Sequence, residues 1–120
     1  MAFTSSVKLA NGVEMPWLGL GVFRSAEGKE VEEAVKCALE TGYRSIDTAA
    51  LYQNERGVGN AIMESGVPRE EIFLTTKIWN PDQGYQSTFS ALEESLEKLQ
   101  TSYVDLYLIH WPKGELSVKT

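Results

Sequence analysis

Apolar residues recur at helical spacing in two stretches of the chain. Val31, Ala34, Val35, Ala38 and Leu39 form one stripe between Gly28 and Thr41, and Phe89, Leu92, Leu96 and Leu99 form another between Tyr85 and Gln100. Between and around them lie short runs of strand character: Trp17–Gly21, Ser45-Ile46-Asp47, Phe73–Lys77 and Val104–His110. Asn54 is placed to cap a further helix from Glu55 to about Ser65, with Gly66 ending it and Gly42 ending the first. Gly57 and Gly59 fall inside that middle helix, where each costs up to about 1 kcal/mol against alanine. Something must therefore come close to that face. Ahead of all this, Val7–Pro16 reads as a hairpin, because Asn11-Gly12 is a strong signal for a tight primed turn with positive φ at both central residues.

The order after the hairpin is βαβαβαβ. Helices alternating with short buried strands imply a parallel sheet with right-handed crossovers. Four strands cannot close a barrel, so the chain reads as the first half of a larger α/β unit. The expected division is a hairpin over residues 1–17, four strands and three helices over 18–112, and the start of the next crossover over 113–120. The sequence holds 120 residues, enough for one domain, and 42% hydrophobic with 23% charged residues is a globular composition.

Charge narrows the partners. The net charge is −6 and no Lys/Arg-rich run interrupts it, so nucleic acid and anionic membrane are poor partners for this surface. The single cysteine, Cys37, excludes an internal disulfide framework and fits a reducing compartment. It sits in the first helical stripe and is expected as a small apolar filler of the core. The N-terminal residues Met1–Asn11 show no signal-peptide pattern, and no apolar run approaches the ~18 residues of a membrane span. A soluble, cytoplasmic protein is the expectation.

The chemistry is carried by strand ends. No G-x-G-x-x-G, P-loop or zinc-ligand spacing is present. What remains is Asp47, Lys77 and His110 at the C-terminal ends of consecutive strands, with Tyr52 on the loop after the first. Each alone has a plainer reading: a turn-forming Asp, a packed His, an unremarkable Tyr. Lys77, between Thr76 and Ile78, is the odd one, since lysine is seldom buried without a partner. Together, neighbouring strand ends ~5 Å apart bring an acid, an ammonium, an imidazole and a phenol to one face. Lys77 held by Asp47 would favour the phenolate of Tyr52, making it a usable general acid. His110 would donate a hydrogen bond to an oxygen gaining negative charge.

These residues lie in three long stretches that resemble a known family. Gly42-Tyr43-Arg44-Ser45-Ile46-Asp47-Thr48-Ala49 with Tyr52-Gln53-Asn54-Glu55 is similar to the G-Y-R-x-I-D-T-A-x-x-Y-x-N-E signature of the aldo-keto reductases. Phe73–Trp79 resembles the family's lysine strand. Tyr103–Pro112 resembles its Y-V-D-L-Y-L-I-H-W-P stretch.

The resemblance implies the N-terminal half of a TIM (β/α)8 barrel, with the hairpin closing its bottom. It implies NADPH-dependent reduction of aldehydes and ketones by hydride transfer, with Tyr52 as proton donor, Lys77 paired to Asp47, and His110 orienting the carbonyl. Gly21, Val22 and Asp47 match positions beside the cofactor. Phe23, Trp79, His110 and Trp111 match the substrate pocket. Val22 stands where many members carry Thr.

A complete barrel needs ~250 residues, and the family's main NADPH contacts lie in the second half. The intact protein is expected as a monomer. The half by itself is expected to self-associate through exposed strand edges. A half-barrel without cofactor binding, acting only through protein contacts, is the alternative. A Schiff-base lyase using Lys77 is disfavoured, because an ion-paired lysine is a poor nucleophile.

Overall fold

The computed structural model describes residues 5–120, so the first four positions of the expected hairpin segment lie outside the described residues. Strands β1 (Ser6–Lys8) and β2 (Glu14–Pro16) pair antiparallel, Lys8 opposite Glu14. The turn between them is not the expected two-residue type. The Leu9 N–H donates to Val13 O at 2.7 Å and the Gly12 N–H to Leu9 O at 2.9 Å, enclosing Ala10-Asn11-Gly12. Only Gly12 has positive φ (88°). Asn11 instead accepts from the Val13 N–H through Oδ1 at 3.1 Å, so the pair builds a three-residue loop with a glycine bulge.

The second sheet is parallel throughout, in the order β3 (Leu20–Gly21), β4 (Ser45–Asp47), β5 (Phe73–Ile78), β6 (Leu106–Ile109). The first run shrinks to two paired residues, and Trp17 is 65% exposed rather than buried. Gly19 precedes that pairing where a Cβ would meet Ser45 Oγ at 2.9 Å. Helices α1 (Lys29–Thr41), α2 (Glu55–Ser65) and α3 (Tyr85–Leu99) connect the strands, and a short α4 (Glu115–Lys119) follows β6. Four parallel strands alternating with helices give the α/β half-barrel order that the sequence pattern implies.

The core lies between the sheet and the helices. Val31, Val35 and Leu39 of α1, Val58, Ala61 and Ile62 of α2, and Leu99 of α3 pack on Ile46 and Leu74. Two helical stripes turn out narrower than their spacing suggests. Cys37 is exposed, not core, and Ala34 is half-buried. Phe89 is 56% exposed and pairs edge-to-face with exposed Tyr85 at 5.4 Å, while α3 buries Ser95 and Leu99. Apolar spacing marks the face a helix could bury; the neighbours present decide how much of it is covered.

The glycines of α2 explain themselves through packing. A Cβ at Gly57 would meet Val31 Cγ1 at 2.5 Å, and one at Gly59 would meet the Leu99 carbonyl oxygen at 2.5 Å. The close approach inferred from sequence is thus made by α1 and by the end of α3. Gly42 and Gly66 end their helices in the left-handed region, at φ 116° and 76°.

The hairpin sits against the N-terminal ends of β5 and β6, where Val13, Glu14 and Pro16 line a groove with Ile72, Phe73 and Asp105. Arg69 ties that end together, donating to Ile72 O, Tyr103 O, Thr101 Oγ1 and Asp105 Oδ2. The opposite, C-terminal ends carry Asp47, Lys77 and the residue after β6, His110. Strands β3 and β6 form the two edges, and Leu108 and Ile109 on β6 are exposed. Among the described residues, no helix is long and apolar enough to cross a membrane.

Gly59→Ala should destabilise the chain by about 1–3 kcal/mol through forced separation of α2 and α3. That outcome opposes the ~1 kcal/mol that alanine normally gains in a helix. A denaturation midpoint that rises instead would contradict the packing assigned to this position.

Candidate active site

The site is assembled from three neighbouring strand ends. Asp47 is the last residue of β4 and pairs with Thr75 of β5, which puts Lys77 two residues further along the same side of the adjacent strand. The Lys77 ammonium reaches back and donates to Asp47 Oδ1 and, at 3.0 Å, to the Thr48 carbonyl oxygen. The lysine side chain is 15% exposed and the aspartate 45%. Lys77 is therefore the partnered buried lysine that its apolar surroundings demand.

Tyr52 arrives by a different route. The chain leaves β4 through Thr48 and Ala49, makes one 3-10 turn over Ala50–Tyr52, and reverses at Gln53 in the left-handed region (φ 56°). The Tyr52 ring comes to rest with Lys77 Nζ over it, 5.2 Å from the centroid. The pairing of Lys77 with Asp47 is the one expected from the sequence. The ammonium hydrogen-bonds the carboxylate and a main-chain carbonyl, and faces the phenol through its ring.

His110 completes the group. Its N–H donates to Ile78 O at 3.3 Å, which sets the residue beside the end of β5. The imidazole stands edge-on to Tyr52 at 5.8 Å and to Trp79 at 5.5 Å, and stacks on Trp111 at 6.4 Å. Burial pushes its pKa below the usual histidine value, the Lys77 charge pushes it the same way, and Asp47 opposes both. Neutral imidazole is thus favoured near pH 7, and its Nδ1 is buried without a hydrogen-bond partner.

Phe23 packs against Tyr52 at 5.2 Å, and both Phe23 (62%) and Trp111 (59%) expose most of their surface around the polar group. Gln83 holds Trp111 by donating to its carbonyl oxygen at 2.7 Å, and Ser117 of α4 donates in turn to Gln83 Oε1. Gly21 lies open, with nothing within 4 Å of where a Cβ would stand. The Val22 side chain is fully buried in the core. Its N–H donates to Asp47 O at 3.1 Å, and its carbonyl accepts from the Asn54 amide and the Ser25 N–H.

Sequence reasoning passed over a polar layer just behind the site. Asn54 is not a side-chain cap of α2; it is fully buried and bonds to three other residues. Glu55, 2% exposed, accepts from Thr76 Oγ1 at 2.6 Å. Burial, with Glu55 and Asp82 nearby, pushes the Tyr107 phenol up to about 12. The signal was in the Asn54-Glu55 pair. Polar residues that begin a helix are ordinarily assigned to its cap, and that rule hid their tertiary partners.

A half-barrel whose strand ends converge a carboxylate, an ammonium, a phenol and a neutral imidazole is equipped for acid–base work on an oxygen. Comparison with known proteins agrees with that class. Residues 17–119 match the model of the aldo/keto reductase family, and the chain belongs to it.

The chain is 65% identical over 107 residues to glyoxal reductase of Bacillus subtilis (strain 168), covering 89% of itself and 39% of that protein. It is 57% identical over 112 residues to methylglyoxal reductase DkgA of Yersinia pestis, covering 93% of itself and 39% of that protein. A solved aldo/keto reductase from Brucella melitensis superposes with TM-score 0.93 at 52% identity, over 99% of this chain and 46% of the other. The Bombyx mori aldo-keto reductase solved in complex with NADP superposes at 0.85 and 44% identity, over 91% and 38%. The chain spans about two fifths of the length of the curated relatives it matches.

Because His110 is the only histidine, its titration can be followed by NMR without assignment ambiguity. The midpoint should fall below 6.5 in the folded chain, and Lys77→Met should raise it. The neutral ring then stabilises the fold above 6.5, a contribution lost as pH falls through the lower folded midpoint. A midpoint at or above 6.5 would remove the electrostatic role assigned to burial and Lys77.

Proposed function

We propose that this chain carries the proton-donating part of an NADPH-dependent aldo-keto reductase that converts aldehydes and ketones to alcohols within a complete barrel. The observation that supports it most is the Lys77–Asp47 ion pair set over the Tyr52 ring beside a neutral His110. The names of the relatives point to small carbonyl compounds such as glyoxal and methylglyoxal. Among the described residues, no group of three or more His, Cys, Asp or Glu could hold a metal ion.

The open space over Gly21, next to the half-exposed Asp47 carboxylate, fits a flat ring better than any side chain there would allow. Gly21 and Asp47 are the residues that would hold the nicotinamide end. When bound, NADPH supplies a hydride to the carbonyl carbon. Everything else falls to the protein's own groups. Tyr52 gives its phenolic proton to the carbonyl oxygen as negative charge gathers there. Lys77, held by Asp47 and the Thr48 carbonyl, stabilises the charge left on Tyr52. His110, neutral and with Nδ1 buried, donates through Nε2 to orient the same oxygen. Phe23, Trp79 and Trp111 supply apolar walls that keep water from competing.

A second reading has the two open sheet edges in its favour: the chain as it stands binds no cofactor and works through protein contacts. Titration of NADPH fluorescence separates the two, since quenching or a shift on adding the chain supports a cofactor site here. No change at millimolar cofactor favours the second reading.

In the complete barrel, Tyr52→Phe should leave NADPH affinity nearly unchanged while kcat falls by ~10²–10⁴. Turnover comparable to the parent protein would refute the assignment of Tyr52 as the acid.

A further inference from the structure

Asn54 is fully buried, and both hydrogens of its side-chain amide are used. Its Nδ2 donates to the Val22 carbonyl and to the Ser25 carbonyl, each at 3.0 Å, and its Oδ1 accepts from Thr48 Oγ1 at 2.6 Å. These three partners are not scattered. Val22 and Ser25 belong to the loop after β3, which follows Gly21 and carries Phe23. Thr48 follows Asp47, and its carbonyl receives the Lys77 ammonium. The Val22 peptide is thereby pinned at both ends, its N–H by the Asp47 carbonyl and its own carbonyl by Asn54. Thr48 is pinned from three directions, by Thr75 O through its N–H, by Lys77 at its carbonyl and by Asn54 at its hydroxyl.

We infer that Asn54 is a positioning residue that locks the cofactor-side loop Gly21–Ser25 to the Thr48 carbonyl seat of Lys77, so that the two halves of the site cannot move independently. The inference rests on the reduction proposed above but has a readout that does not. An amide is the side chain suited to this place, because it must donate twice and accept once within one plane. A carboxylate would set an acceptor against two carbonyl oxygens. An apolar side chain would give up both amide bonds, leaving the buried Val22 carbonyl with the Ser25 N–H alone and the part-buried Ser25 carbonyl without its Asn54 donor. Asn54 touches neither substrate nor the reacting atoms. It acts through Val22, Ser25 and Thr48.

The test uses two variants of the protein, Asn54→Leu and the milder Thr48→Val, which removes only the hydroxyl donor. Ile62→Val, in the core away from the strand ends, reports what destabilisation alone does. In the first readout, hydrogen exchange at the Val22, Ser25 and Thr48 amides should quicken by about tenfold or more in both site variants, while Asp105 and Leu106 stay within about twofold. In the second, NADPH dissociation should become about tenfold easier and kcat should fall together with it, whereas Ile62→Val lowers Tm and changes neither.

Should Thr48→Val fold and exchange these amides at the parental rate, the lock is overturned whatever the activity. Should exchange quicken while NADPH affinity and kcat stay at parental values, the positioning role is overturned. If the parent protein neither binds NADPH nor reduces a carbonyl, the proposed function falls, and the exchange result still decides whether Asn54 couples the two segments.

Discussion

An ammonium placed among apolar neighbours has to be answered, and in this chain Asp47 answers it. Lys77 rises from the most deeply buried strand, β5, whose Phe73 to Thr76 are all buried. A lysine there without a carboxylate would leave a charge unpaired against the packed sheet. The pair obliges β4 and β5 to be neighbours in one register, with Asp47 opposite Thr75, and that register carries Tyr52 and His110 to the same end of the sheet. Half of the aspartate surface stays open to solvent, so the pair is shielded on the lysine side and approachable on the other. A charge fixed on one side and accessible from the other is what acid–base chemistry at a strand end needs.

Behind the charged pair stands a layer of neutral polar contacts. Asn54 bonds to Thr48, Val22 and Ser25, and Glu55 accepts from Thr76. Both residues open α2, so the helix start is anchored to the sheet by side chains that would ordinarily serve the helix itself. The same helix uses Gly57 and Gly59 to let α1 and the end of α3 close in. One short segment thus sets helix spacing on its far side and site geometry on its near side. That double duty explains why a helix with poor intrinsic propensity is kept.

Several elements were legible because they obey short-range rules. Glycines in the left-handed region end α1 and α2 where the pattern placed them, and the strands around Ile46 and Leu74 are buried as apolar runs should be. What misled were positions where a local rule has two outcomes. Asn11-Gly12 suits a two-residue turn, yet Asn11 satisfied its own backbone and only Gly12 took positive φ. Cys37 and Phe89 lie on apolar stripes, yet both stay largely exposed. Asn54 looked like a cap and is a buried cross-link, because its preferred partners came from segments some thirty and six residues away.

By itself the sequence determined the alternation of strands and helices, their limits to within a few residues, and the residue types that end each strand. These depend on φ preferences, apolar spacing and capping, which are properties of neighbours along the chain. The tertiary structure alone decided which face of Tyr52 meets Lys77, that the Val22 side chain turns into the core, and that the Asn54 amide spans two loops. Those outcomes depend on hydrogen bonds and charges brought together across space, and only the folded sheet, by setting one strand end beside the next, supplies the partner.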